Sequence, residues 1–323
     1  MSIRFVAAIT IAFSYLVSGV VFAQNLPIQD AHLPKFKHAV DLLDSYRGNT
    51  SLLETARDEL EDMLKANPRF APAYREMARY FIMAGYISSL KFKPGALEAA
   101  DMSIKKALEF NPNFAEAYVL YGHLYRLMHR HQDALSALEK AEQLGTTDPW
   151  LQNNWADLLI DEGKYEAAAL RYRKVIESKT LNKKAMGSAF GGLIRYYQSV
   201  DQLDLADEMY RKNIDFEPDT AWNYGNYAQF LLCSRDDYNK SIYRSREALD
   251  IMNYGVARYW LAAALYRKWA DYVLSGEPKK GEPFFLEARA IYPDLDGITA
   301  NTKTCKSLSF ISQALIAKKT VAS

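Results

Sequence analysis

Of the 323 residues, 49% are hydrophobic and 24% charged, a balance that excludes a disordered polymer. The 22 tyrosines against 11 prolines and 15 glycines suit helices packed through large side chains, not a turn-punctuated β-sandwich. Lys+Arg and Asp+Glu, at 40 and 39, cancel almost completely and leave no electrostatic footprint for DNA or RNA.

Residues 1–23 read as a secretory signal peptide. Arg4 precedes an uncharged apolar run from Phe5 to Ala23, and Val21 and Ala23 stand where a cleavage signal needs small residues. Such a run is nearly long enough to span a bilayer, so the alternative is a membrane anchor formed by residues 5–23. Residues 24–35 follow as a linker.

From Phe36 to Pro293 the chain repeats itself. Two segments, Asn67-Pro68-Arg69-Phe70-Ala71 and Asn111-Pro112-Asn113-Phe114-Ala115, each stop one helical pattern and open another, because proline lacks the N–H that would continue a helix. The first pair of patterns runs near Phe36 to Tyr46, then through Ala56, Leu60 and Met63. The second sets Tyr74, Met77, Ala78 and Phe81 against Ala100, Ile104 and Ala107, with an insertion at 87–95 between them. The third and clearest has Tyr118, Tyr121, Gly122 and Tyr125, then Ala134, Leu138 and Ala141. The fourth has Trp155, Ala156 and Leu159, then Ala168, Tyr172 and Val175.

Three more copies follow. Phe190, Leu193 and Tyr197 lead to Ala206, Tyr210 and Pro218, and Tyr224, Tyr227, Ala228 and Leu231 lead to Ser241, Ala248 and Leu249. The last sets Tyr259, Ala262, Ala263 and Tyr266 against Phe285, Ala288 and Pro293. Its first helix is expected to run on to Val273 and to break into a loop from Gly276 to Pro283. Residues 294–323 read as a capping helix and tail, with Leu308, Ile311, Leu315 and Ile316 on one face of a helix from Thr302 to Lys319.

This pattern resembles the tetratricopeptide repeat, whose aromatic, Gly/Ala, Tyr and Ala-x₃-aromatic landmarks recur about every 34 residues. The resemblance implies an all-α fold, a right-handed α-solenoid of about seven helix pairs closed by a C-terminal capping helix. It also implies that the first helices of successive pairs line a concave groove. Projected onto that register, the groove presents Arg75, Arg79, Arg126, Trp150, Asn153, Asn154, Asp157, Arg195, Gln198, Trp222, Asn226 and Gln229, with His123, Trp260 and Arg267 beside them. Amides bond an extended peptide's backbone whatever its side chains, Trp150 and Trp222 offer aromatic anchors, and the arginines suit carboxylates.

No H-E-x-x-H, C-x₂-C or G-x-S-x-G occurs, so no catalytic residue, metal or cofactor is assigned. The function expected is an exported scaffold or adaptor for a protein or peptide partner, with no nucleic acid. Its place would be the bacterial periplasm or outside the cell, in envelope assembly, secretion or polymer export, in association with membrane or envelope machinery. The alternative is a glycan-handling or metal-dependent, enzyme-associated role that uses the tryptophans and the cluster of His123, His129 and His131; His129, however, sits at the turn position that Gly163 occupies in the next repeat. Cys233 and Cys305 lie about two repeats apart, beyond the roughly 7 Å between Cα atoms that a disulfide tolerates, which predicts two free, buried thiols.

Overall fold

The computed structural model describes residues 32–88 and 91–322; the expected signal segment and most of the linker lie outside them. The chain divides into two compact units, the first ending at Ser178 and the second beginning at Lys179. Among the described residues of unit 1, α1 (Leu33–Ser45) pairs with α2 (Thr50–Ala66), α3 (Ala71–Gly85) with α4 (Ala96–Phe110), α5 (Ala115–Leu127) with α6 (His131–Gln143), and α7 (Pro149–Asp161) with α8 (Tyr165–Glu177). In unit 2, α9 (Lys183–Ser199) pairs with α10 (Leu203–Phe216), α11 (Ala221–Arg235) with α12 (Tyr238–Ile251), and α13 (Gly255–Leu274) with α14 (Pro278–Ile291). A short α15 (Leu295–Thr299), two 3-10 turns (Ala300–Lys303 and Lys306–Leu308) and α16 (Ser309–Ala322) complete it.

Each helix ends where its local chemistry requires. Asn67 and Asn111 close α2 and α4, and their N–H groups reach back to Met63 and Ala107 at 2.7 and 2.9 Å. Tyr74 and Tyr118, at equivalent positions in the following helices, donate to the carbonyls of Pro68 and Pro112 at 3.0 and 3.1 Å. The turn inside a pair is also repeated. Arg130, Lys164, Gln202 and Glu277 each donate to the carbonyl five residues back, at 2.8 Å in every case, closing the helix with a left-handed residue just before the donor. Gly163 and Gly276 take that position at φ +76° and +82°. His129 and Asp201 take it at 58° and 57°, where a side chain is strained unless the turn demands it.

Helices this short are marginal alone, and the small landmark residues are where they meet. Ala78, Ala100, Ala134, Ala156 and Ala228 are all fully buried. A Cβ on Gly122 would fall inside the side chain of Leu138, itself fully buried. Gly122→Ala is therefore expected to destabilise unit 1 by about 1–3 kcal/mol through overpacking. Thermal unfolding of Gly122→Ala, Leu138→Ala and the double variant checks this, because the two losses should fall short of additivity. The first helices of successive pairs also touch one another, α1 with α3, α3 with α5, α5 with α7, and α11 with α13. They therefore form the inner side of each unit.

The structure departs from the sequence expectations at three places. Residues 278–283, expected as a loop, open α14 instead: Pro278 sits in its first turn and only Ser275, Gly276 and Glu277 separate it from α13. Proline is well tolerated at a helix start because its missing N–H has no partner there. The cap helix begins at Ser309, not Thr302; with Leu308 of the preceding turn it buries Ile311 and Ala314, while Ile316 is 67% exposed.

The third departure is the cysteines, which are bonded, with their Cα atoms 4.5 Å apart. The expectation of free thiols assumed that each repeat meets only its neighbours and that the cap adds beyond the last pair. Instead the 3-10 turn Lys306–Leu308 packs against both α11 and α13. The Ser307 hydroxyl donates to the carbonyl of Leu232 at 2.6 Å, which sets Cys305 against Cys233.

Candidate functional site

The inner helices of unit 1 carry two clusters of ion pairs. Glu76, on α3, has a side chain only 4% exposed and is gripped by Arg75 and by Arg79, the latter at 2.6 Å. Arg79 also reaches Asp44 of α1, and Arg75 reaches Asp148, the N-cap of α7, at 3.4 Å. Burial alone would raise the Glu76 carboxyl, but Arg75 and Arg79 outweigh it and hold the group below its ordinary value of 4.5. Asp148 shifts the other way, raised chiefly by burial and only partly drawn down by Arg75.

One pair further on, Arg126 of α5 forks onto Asp161 of α7 at 2.7 and 3.0 Å and reaches Asp157 at 3.4 Å. Tyr172 of α8 donates to the other oxygen of Asp157 at 2.6 Å. Desolvation lowers the neighbouring His123 imidazole from 6.5, with Asp157 raising it and Arg126 lowering it. His129 is exposed at its turn, its ring 6.4 Å from that of His131. Among the described residues, no three His, Cys, Asp or Glu are grouped to hold a metal ion.

The predicted residues therefore fall into two sets. Arg75, Arg79, Arg126 and Asp157 lie on the inner helices as expected, but their charges are engaged within the unit. Trp150 is half-buried in the first turn of α7. Asn153 and Asn154, expected to offer amides to a partner, are 1% and 5% exposed. The Asn154 amide donates to the carbonyl of Val119 at 2.9 Å and so ties α7 to α5. A single sequence shows that an amide lies on an inner helix, but not that the next helix packs over it.

Unit 2 differs. On α11, Trp222 is 49% exposed, and Asn226 and Gln229 are exposed on the same face, since residues four and seven positions on lie one and two turns above. No described residue hydrogen-bonds either amide. The Trp222 ring lies 4.4 Å from that of Tyr254, a residue the sequence reading did not assign to the site. The Tyr254 hydroxyl donates to the carbonyl of Ala221 at 3.2 Å and lies where any side chain at Gly225 would be. The absence of a Cβ at Gly225 was the one available signal for it. Val256, just beyond Tyr254, is 41% exposed. On α9, Arg195 is exposed and Gln198 half-buried. Trp260 and Arg267, by contrast, are 9% and 5% exposed; Arg267 is forked onto Asp236 at 3.0 and 2.8 Å and serves the core.

A concavity of about 560 Å³ opens over α7 and α8 beside Trp155, Leu159, Leu170 and Arg171. The Arg171 guanidinium lies 4.7 Å from the Trp155 ring. Its lining comes from two helices with no shared motif, and the sequence reading did not find it.

Residues 104–136, the end of α4, all of α5 and the first part of α6, match the family model of the tetratricopeptide repeat. The fold is that of a tetratricopeptide-repeat array. It is similar to that of the APC/C hetero-tetramer Cut9–Hcn1, with a TM-score of 0.54 at 18% identity over 79% of this chain and 46% of that one. It is also similar to the C-terminal part of a TPR repeat-containing protein from Cytophaga hutchinsonii, with a TM-score of 0.53 at 14% identity over 80% and 96% of the two chains. At these identities the likeness is one of fold. The PsbD mRNA maturation factor Nac2 of Chlamydomonas reinhardtii is 31% identical over 105 residues, 32% of this chain. The chain spans 8% of the length of that curated relative and less than half of the Cut9–Hcn1 chain. The tetratricopeptide fold suggests a protein–protein interaction scaffold.

Proposed function

We propose that the protein is an exported, non-catalytic scaffold that holds an extended polypeptide segment on the inner face of unit 2, in cell-envelope assembly, secretion or polymer export. The observation that carries this reading is the row of Trp222, Asn226 and Gln229 on α11, backed by Tyr254. An aromatic anchor lies exposed there beside two unengaged amides, while the equivalent faces of unit 1 have engaged their polar groups internally. Free amides replace water on a peptide backbone without choosing its side chains, and the Trp222–Tyr254 pair covers an apolar side chain or a proline ring.

Export is supported by the apolar run of residues 5–23 with its small residues before Gln24. The Cys233–Cys305 bond also supports it, because such bonds persist mainly in oxidising compartments. Among the described residues no helix is long and apolar enough to cross a membrane. Mass spectrometry of the N-terminus in the native host separates a cleaved signal from a retained anchor.

The test of the site is photo-crosslinking in the native host from a benzoylphenylalanine placed at Asn226, against a control at Lys212, exposed on α10. A distinct polypeptide adduct from position 226 is expected, diminished in Trp222→Ala. Losing an aromatic anchor of this kind costs about 2 kcal/mol, roughly thirtyfold in affinity. Identical adducts from both positions, or none from position 226, would remove the site.

A further inference from the structure

Between α3 and α4 of unit 1 the chain forms a two-stranded antiparallel ribbon, β1 (Tyr86–Ser88) and β2 (Lys91–Phe92), in which Tyr86 lies opposite Phe92 and Ser88 opposite Lys91. Its base is fixed: the Lys93 N–H donates to the carbonyl of Gly85 at 2.8 Å, and the Tyr86 and Phe92 rings meet edge to face at 5.8 Å. Beyond the base, the strands pack mainly on each other and not on the helices. Tyr86 is 52% and Ile87 58% exposed, and Ser88, Lys91 and Lys93 are exposed beside them.

The chain leading into and out of this ribbon carries charge of one sign. From Met77 to Leu97 the chain carries Arg79, Lys91 and Lys93 and no carboxylate. Arg79 is engaged with Glu76 and Asp44, whereas Lys91 and Lys93 enter no ion pair among the described residues. Over the whole chain the two signs nearly balance, at 40 basic and 39 acidic residues.

Three occupants can be weighed. A second copy of the ribbon would bring like charges together. Strand addition by another chain would gain little, because strands of three and two residues offer few backbone hydrogen bonds. An exposed ribbon carrying a tyrosine, an isoleucine and a half-buried phenylalanine, flanked by lysines outside any ion pair, fits a fluid surface that needs no matching cavity. Aromatic rings settle at the lipid headgroup level, and lysines reach the anionic phosphates around them. We infer that the ribbon is a membrane-surface contact, seating Tyr86, Ile87 and Phe92 in the headgroup region of an anionic bilayer with Lys91 and Lys93 on its phosphates. This site is separate from the α11 face and does not depend on the polypeptide-binding reading.

The test uses the full chain with the dye NBD attached to Ser88→Cys, so that the readout reports the ribbon and not the apolar N-terminal segment. Phosphatidylcholine vesicles containing phosphatidylglycerol should brighten and blue-shift the dye, while pure phosphatidylcholine should do so far less. Each lysine contributes about a fivefold gain in partitioning near an anionic surface. Lys91→Gln with Lys93→Gln in the labelled chain should therefore weaken the response roughly 25-fold, and 1 M salt should do the same by shrinking the screening length to about 3 Å. Ile87→Ser should weaken it with both lysines present. A dye that responds equally to both vesicle types, or a response unchanged by the lysine substitutions, overturns the inference. So does a response to polyglutamate with none to vesicles, which would assign the ribbon to an acidic protein partner.

Discussion

Replacing Cys305 by serine is expected to lower the stability of unit 2 by about 4 kcal/mol, the chain-entropy value for releasing a loop of 72 residues. Cys305 is 1% exposed and sits beneath the turn that leads into Leu308 and Ile311, so the bond holds the cap across α11 and α13. Urea unfolding with and without dithiothreitol measures the effect. The wild type should lose stability on reduction, whereas Cys305→Ser, Cys233→Ser and the double variant should fall to one common level and ignore the reductant. A midpoint that reduction leaves in place would mean that the two thiols are not joined in the folded protein.

The second large effect is expected at Glu76. Its carboxylate is buried between Arg75 and Arg79, so Glu76→Gln leaves two guanidiniums short of a counter-charge, at a cost of about 3–5 kcal/mol near neutral pH. The pH dependence follows from the direction of its shift. A carboxyl held below 4.5 in the folded state contributes stability that is fully present above the unfolded value and lost as pH falls through the lower, folded one. Asp148, raised by burial, acts in the opposite sense: its protonation favours the folded state and offsets part of the loss. Melting temperatures of wild type and Glu76→Gln should differ widely at pH 7 and converge as the pH drops below 4.5. A gap that stays constant into acid would show that the Glu76 charge is not what stabilises the cluster.

The fold was legible to an unusual degree because a helix pair writes its own packing into a short period. Gly122 and Ala134 must be small where backbones approach, Tyr172 must be large where pairs meet, and Asn67-Pro68 and Asn111-Pro112 must stop helices. Each of these requirements involves residues close together in the chain. His129 illustrates how far local comparison reaches: its match to Gly163 placed it at a turn, and the structure adds that the turn is left-handed, at φ 58°.

The candidate site was legible only as a register. The spacing assigned Asn153, Asn154, Trp222, Asn226 and Gln229 alike to the inner helices, but not which of them a neighbour would cover. Asn154 donates across to Val119, 35 residues away, while Asn226 and Gln229 stay exposed. The same period cannot tell Arg126, forked onto Asp161, from Arg195, which is exposed.

By itself, then, the sequence determined the helix pairs, their stops and turns, and the face each residue occupies. Those follow from backbone sterics and the 3.6-residue period acting over a few turns. Only the tertiary structure decided which inner-face groups are engaged, that the 87–95 insertion forms a ribbon with Tyr86 against Phe92, and that Cys305 folds back to Cys233. These depend on contacts between residues dozens of positions apart, where small shifts in helix packing decide whether a polar group meets a partner or water.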